Sequence, residues 1–205
     1  AMLWVGWFGF NAGSALAADG AAGMALFVTH ISAATGALTW IIIEWLKFGK
    51  PSGLGAITGM VAGLATITPA SGSVGPAGAL LVGLAGGVIC YFATTYLKQT
   101  VKIDDSLDVF PVHGVGGTVG TFLAGILVSG NLGIFSGNGL ADGMTIGSQV
   151  GVQVTGILAT AIYTAIMTFI LLKVVGALTS GIRVSDEQEQ QGLDITDHDE
   201  KGYSM

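Results

Sequence analysis

The sequence predicts an all-α polytopic membrane protein, and three observations carry that prediction. Hydrophobic residues fill 51% of the 205 positions and charged residues only 10%, where a soluble domain carries roughly a quarter charged residues. So little polar surface cannot cover a water-facing fold, and lipid is the solvent that this composition fits. Six apolar segments alternate with glycine-rich or polar joints, and the positive charges fall in every second joint only.

The segments run over residues 1–17, 21–46, 54–69, 77–97, 108–129 and 144–180. The joints between them read "ALAADG", "KFGKPSG", "TPASGSVGP", "KQTVKIDDSL" and "NLGIFSGNGLADG". A helical crossing takes about 20 apolar residues. The last segment exceeds that and is predicted to project past the bilayer or to tilt. The first opens "AMLWVGWFGF" without a charged flank and without a signal-peptide pattern. It reads as a truncated span cut at residue 1, a piece of something longer. Residues 1–181 thus comprise six transmembrane helices, the first truncated, and 182–205 a polar tail.

Orientation follows from lysine and arginine. Lys47 and Lys50 lie in the second joint, Lys98 and Lys102 in the fourth, and Lys173, Arg183 and Lys201 at or beyond the end of the sixth span. The first, third and fifth joints have neither residue. The positive-inside bias puts the charged joints and the carboxyl terminus in the cytoplasm. The net charge of −6 belongs to the tail, since seven of the thirteen carboxylates lie between Asp186 and Glu200. With no basic run, nucleic acid is excluded as a partner.

Glycines recur four residues apart at Gly9 and Gly13, at Gly55, Gly59 and Gly63, and at Gly83 and Gly87, Gly116 and Gly120, Gly147 and Gly151. Such spacing lets helix backbones approach closely in lipid, so the set predicts a tight bundle. Cys90, the single cysteine, reads as a small buried residue.

Polar groups within apolar spans are costly and face the protein interior or a water-filled path. In "GWFGFNAGS" (6–14), Trp7, Phe10 and Ser14 share one helical face. An aromatic face attracts a cation and a hydroxyl one turn away can accept its hydrogen bond. A packing stripe fits the same spacing. His113, in "DDSLDVFPVHGVGG", offers as a neutral imidazole one donor and one acceptor nitrogen. It suits passage of a small hydrogen-bonding molecule or a proton, and equally a bond to a facing helix. Pro111 suits a helix opening, and Asp108 either caps the turn before it or holds the approach loop. His30 is predicted to make a structural hydrogen bond, with Thr29 and Ser32 beside it. Glu44 is predicted to snorkel or pair at the cytoplasmic interface. "GVGGTVG" at 114–120 lies inside a span with no preceding strand or following lysine, which rules out a phosphate loop. No metal-ligand spacing, nucleotide loop or nucleophile motif occurs, so neither an enzyme nor a cofactor is predicted.

Four blocks, "GWFGFNAGS", "GKPSGLGAITGMVAGLATITPASG" (49–72), "DDSLDVFPVHGVGGTVG" (104–120) and "GIRVSDEQEQQGLD" (181–194), together resemble the ammonium transporter family (Amt/Mep/Rh), specifically its bacterial Amt branch. With the connecting spans the resemblance covers essentially the whole chain. It implies eleven helices built as two inverted five-helix repeats plus a long final helix, assembled as homotrimers with one pore per protomer. This chain resembles the carboxyl-terminal half, helices six to eleven plus the cytoplasmic tail, so the second inverted repeat. Because inverted repeats place the substrate path at their interface, the missing amino-terminal half would supply the other wall.

By this resemblance Phe10 is one ring of a stacked phenylalanine gate, Ser14 a hydroxyl of an outer ammonium-recruitment site and Trp7 the aromatic ahead of the gate. His113 resembles one of two pore histidines, and Asp108 the acid before it. His30 matches no family position. The family places His113 near mid-membrane, whereas counting from Asp108 puts it near the inner face. An inner vestibule into which "DDSLDVFP" dips without regular helix would reconcile the two. The tail, otherwise read as a disordered acidic end, resembles a regulatory segment carrying Arg183, Gly192 and Asp194. The family's tail packs under a neighbouring protomer and serves docking of a PII-type regulatory protein. Ser185 stands where many relatives carry proline, which bears on the tail's rigidity. The implied function is ammonium or ammonia transport across the plasma (bacterial inner) membrane among its lipids. An ammonium sensor (a transceptor signalling through a partner) and a half-permease with a separately encoded partner chain are the rival readings.

Overall fold

The computed structural model describes residues 2–179 and 181–202. Ala1, read above as a cut, Ser180 at the end of the sixth predicted span, and the last three tail residues, 203–205, lie outside the described residues. The described residues are helical with connecting turns: α1 (Met2–Gly13), α2 (Gly20–Phe48), α3 (Gly53–Ile67), α4 (Pro76–Tyr96), α5 (Gly116–Leu127), α6 (Ile146–Leu178), α7 (Asp186–Gln191) and α8 (Leu193–Thr196). Wider π-type turns run over Leu97–Val101 and Phe110–Val115, and tight 3₁₀ turns over Thr68–Ala70 and Gly133–Phe135. Five of the six predicted spans are long and apolar enough to cross a bilayer (Gly20–Phe48, Gly53–Ala70, Pro76–Val101, Phe110–Leu127 and Ile146–Leu178). The remaining one, α1, has 12 helical residues. α6, at 33 residues, has the excess length expected of it. The chain forms two compact units, Ala1–Ile157 and Leu158–Met205.

The helix ends follow from their sequence. Asp19 caps α2 by accepting from the Ala21 and Ala22 amides, and α2 stops at Gly49, whose left-handed φ of 75° lets its amide bond the Trp45 carbonyl. Ser52 caps α3 through the Gly55 amide at 2.8 Å, and Pro76 opens α4. Glu44 does not snorkel. Its carboxylate accepts from the Ser52 amide (2.7 Å), the Ser52 hydroxyl (3.2 Å) and the Trp40 indole (3.3 Å), tying the end of α2 to the start of α3. Lys47 instead lies 5.0 Å from the centres of the Tyr91 and Phe92 rings.

α2, α3 and α4 form the heart of the first unit. The Ser32 hydroxyl donates to the Gly63 carbonyl at 2.8 Å. Any side chain at Gly63 would collide with the Ser32 carbonyl, and a Cβ on Gly83 would stand 2.6 Å from that same oxygen. Gly55, Gly59 and Gly63 meet Glu44, Trp40 and Ser32 in reverse order, whereas Gly83 and Gly87 meet Ser32 and Thr39 in the same order. α3 is therefore antiparallel to α2, and α4 parallel to it. Gly116 and Gly120 bring α5 against Thr66. One apolar cluster gathers Trp40, Leu64, Cys90, Tyr91 and Val112, and a second gathers Val28, Ile67, Val74, Val82 and Leu127. Cys90 is fully buried and free, as expected. The glycine rows on α1 and α6 behave differently. Among the described residues, a Cβ at Gly9, Gly13 or Gly151 would meet nothing within 4 Å.

In the second unit the tail is folded, not disordered, over its described residues. Ser185 is an N-cap: its hydroxyl accepts from the Gln188 amide while the Gln188 side chain accepts from the Ser185 amide, a reciprocal capping box. Gly192, with φ 91°, closes α7 by donating to the Gln188 carbonyl. Asp194 lies in the first turn of α8, and its carbonyl accepts from the Glu200 amide at 2.7 Å. Arg183 pairs with Glu189 at 2.9 Å. Hydrogen bonds from its own amide and then from Ser185 hold the exposed Glu187 carboxyl below the usual carboxylate range.

Two outcomes are expected. Gly63→Leu should destabilise the protein by about 3 kcal/mol, as over-packing at a rigid backbone does; an unchanged thermal unfolding midpoint in detergent would remove the close contact from the account. Because the Glu187 pKa is lowered on folding, its contribution is present above the ordinary glutamate range and is lost as pH falls through the lowered value. Amide resonances of residues 186–191 should therefore lose helical shifts on acidification, and Glu187→Gln should blunt that change.

Candidate functional site

The first nine residues of the resemblance are placed by one buried amide. Asn11 is 4% exposed and donates from Nδ2 to the Thr29 hydroxyl at 2.9 Å, while that hydroxyl donates to the Ala25 carbonyl at 2.6 Å. This bond sets the rotation of α1 against α2. Trp7, four residues earlier, then points at the end of α3, where its indole Nε1 donates to Thr68 Oγ1 at 2.8 Å. Thr68 sits where α3 gives way to a 3₁₀ turn ahead of Pro69, and its hydroxyl donates back to Leu64 at 2.8 Å. The indole therefore has a partner whose own rotamer is locked.

Around that fixed indole the structure assembles a row. The Phe10 ring lies 5.9 Å from the Trp7 ring at a tilt of 59°. The His113 ring also stacks on Trp7, at 5.9 Å and 22°. The three predicted residues Phe10, Trp7 and His113 are thus brought together around one indole, although His113 lies more than 100 positions from the other two in sequence. Phe10 is 63% exposed and His113 is exposed, so the row presents an open face. Ser14 stands one turn beyond Phe10, past the end of α1, and its hydroxyl donates to the Phe10 carbonyl at 2.7 Å, which leaves its oxygen lone pairs outward.

Asp108 does not cap the helix that carries His113. Asp105 does so, its two carboxylate oxygens each accepting at 2.9 Å from the Val109 and Phe110 amides. Asp108 adopts a left-handed φ of 57°, which turns its carboxylate away from those amides and onto Lys98 Nζ at 2.6 Å. Of the two roles proposed for it, holding the approach loop is the one it has. Residues 102–108 are irregular, but the last three residues of "DDSLDVFP", 109–111, are already helical, Phe110 and Pro111 lying in the wide turn Phe110–Val115, so the expected irregular stretch holds only up to Asp108. Among the described residues, the contacts of His30 are aromatic and not the expected hydrogen bond. Thr29 and Ser32 lie on the buried face of α2 and bond Ala25 and Gly63, while His30 points the other way, its ring 5.1 Å from Trp4 and 6.1 Å from Phe8.

Thr68, Asn11 and Asp105 were missed by sequence reasoning. Asp105 had a signal, an acid shortly ahead of a proline-opened helix. Thr68 and Asn11 had none, since their partners lie 61 and 18 residues away.

A family model described as the Ammonium Transporter Family matches residues 1–203. The chain belongs to that family. It is 46% identical to the putative ammonium transporter of Methanothermobacter thermautotrophicus over 209 residues, covering all of this chain and 50% of the relative. It is 42% identical to the ammonium transporter Amt1 of Archaeoglobus fulgidus, again over all of this chain and 50% of the relative. The chain spans about half the length of the curated relatives it matches. Among solved structures, a sensor Amt protein superposes with a TM-score of 0.84 at 29% identity, over 95% of this chain and 46% of that one. Saccharomyces cerevisiae Mep2 superposes with a TM-score of 0.78 at 38% identity, over 90% of this chain and 42% of Mep2. Family and apolar helices together make this a multi-pass membrane protein.

If the Trp7–Thr68 bond sets the row, Thr68→Val should leave a half-buried indole N–H unsatisfied and cost about 1 kcal/mol. It should also alter Trp7 emission. Parental melting and emission would show that the row is set otherwise.

Proposed function

We propose that the protein conducts ammonium across the membrane along the face carrying Phe10, Trp7 and His113. The observation that carries this reading is the row itself: Phe10 and His113, both exposed, each set against the Trp7 ring, whose indole is held by Thr68. Ser14 and the aromatic faces at the outer mouth recruit the ammonium ion, where cation–π attraction offsets part of its lost hydration. A bare cation is costly in an apolar passage. The ion therefore gives up its proton to water at the outer mouth; ammonia passes Phe10, one ring of a phenylalanine gate, and the proton crosses separately along the histidines, so that net charge moves. His113, one of a pair of pore histidines, then offers the donor and acceptor that ammonia needs. No covalent bond to carbon or phosphorus is made or broken, which agrees with relatives named as transporters and not as enzymes.

The remainder of the proposal follows the family resemblance and the charge pattern. Residues 1–181 are the membrane part and 182–205 a cytoplasmic tail, in a bacterial inner membrane. The protein is a homotrimer. The other wall of each pore comes from sequence beyond this chain. The tail, with Arg183, Gly192 and Asp194, is the surface for a PII-type regulatory partner. The likeness to the solved sensor Amt protein favours one alternative, an ammonium sensor that binds the ion and signals with little conduction.

The test is the current evoked by an ammonium jump in proteoliposomes holding the full-length protein, compared with its His113→Ala form. A current that vanishes or changes selectivity in His113→Ala is the expected result. Unaltered uptake with unaltered pH dependence would remove His113 from the path. Binding without current or isotope uptake would favour the sensor.

A further inference from the structure

The helix that carries His113 starts at a corner held mainly by charges. Lys102 and Asp108 both take left-handed backbone, with φ of 60° and 57°, a conformation disfavoured for any residue with a Cβ. Asp105 satisfies the Val109 and Phe110 amides. That leaves the Asp108 carboxylate, whose side chain is 13% exposed, without a helix amide to accept from. A carboxylate so withdrawn from water requires a counter-charge. Lys98 supplies it from the wide turn Leu97–Val101 that ends the helical run of α4, with Nζ 2.6 Å from Oδ1. The Asp108 carbonyl in turn accepts from the Val112 amide at 3.0 Å. The residue gripped by Lys98 is therefore bonded to the residue immediately before His113.

We propose that Lys98 is a positioning residue for the passage: through Asp108 it fixes where the His113 ring stands against Trp7. This rests on reading the Phe10–Trp7–His113 row as the ammonium path. Without the ammonium group of Lys98, Asp108 would have to reach water, and its left-handed corner would relax. The Asp108–Val112 bond would open first, and the His113 ring would move relative to an indole that Thr68 holds still. The chemistry assigned to Lys98 is a cation at a set distance. Arginine should therefore replace it and methionine, of similar length and uncharged, should not.

The experiment compares the full-length protein with Lys98→Met, Lys98→Arg, Asp108→Asn and the Lys98→Met/Asp108→Asn double variant in proteoliposomes. Ammonium-evoked current is recorded across pH, and hydrogen–deuterium exchange is followed over residues 109–113. Lys98→Met should lower the current several-fold, shift its pH profile and speed exchange. Lys98→Arg should restore all three, and the double variant should lose no more than the worse single one. Parental current, profile and exchange in Lys98→Met would overturn the proposal. So would a loss of current with unchanged exchange, or losses that multiply in the double variant. Should the parent itself carry no current, the transport reading fails separately, and exchange alone decides: acceleration in Lys98→Met reversed by arginine supports the clamp, and no acceleration overturns it.

Discussion

Three helices converge on one peptide group, the carbonyl of Ser32 in the middle of α2, and the rest of the first unit is arranged around that contact. Gly63 of α3 and Gly83 of α4 approach it so closely that neither could carry a side chain. In lipid there is little hydrophobic gain from pressing one apolar helix on another, so close backbone approach and polar bonds between helices supply the cohesion. The Ser32 hydroxyl adds such a bond to Gly63. Once α2, α3 and α4 are locked there, the end of α3 is fixed, and with it Thr68. Thr68 fixes Trp7, and Trp7 provides the surface on which Phe10 and His113 rest.

The proposed site is assembled where regular helix fails. Thr68 stands at a 3₁₀ turn, His113 in a widened π-type turn, Asp108 at a left-handed corner and Ser14 just past the end of α1. Regular helix closes its own hydrogen bonds and has little left to offer a passing molecule. Irregular backbone at membrane depth is tolerated only inside protein or beside water, so each of these positions must be covered by side-chain partners. Asp105, Thr68 and Lys98 are those partners. The tail follows similar logic on a smaller scale, since Ser185 and Gln188 cap a helix of only six residues.

Much of this was legible in the chain. The spans follow from long apolar runs between charged or glycine-rich joints, and five of them have the length and composition to cross a membrane. The face shared by Trp7 and Phe10 follows from their three-residue spacing, and the irregular approach to His113 from Pro111 and the acids ahead of it. The alternatives left open and the misses share a cause. Asp108 and Asp105 are both acids before the same helix, and only the backbone angle at Asp108 decides which one caps it. Thr29 and Ser32 looked available to His30 because they adjoin it in sequence, yet in a helix neighbours point about 100° apart per residue, and both hydroxyls face the core. The glycine rows of α1 and α6 have the same spacing as those of α3 and α4, but spacing carries no information about whether a neighbour is present.

By itself, then, the sequence determined the solvent, the apolar spans and the family, because these depend on composition and on blocks of residues read in order. Tertiary structure alone decided which acid caps and which pairs, which glycines touch, and that an indole near residue 7 and an imidazole at residue 113 share one stack. Those outcomes are set by helix rotation and by partners tens of residues apart, and a rotation of one residue's width would send each of these side chains to a different face.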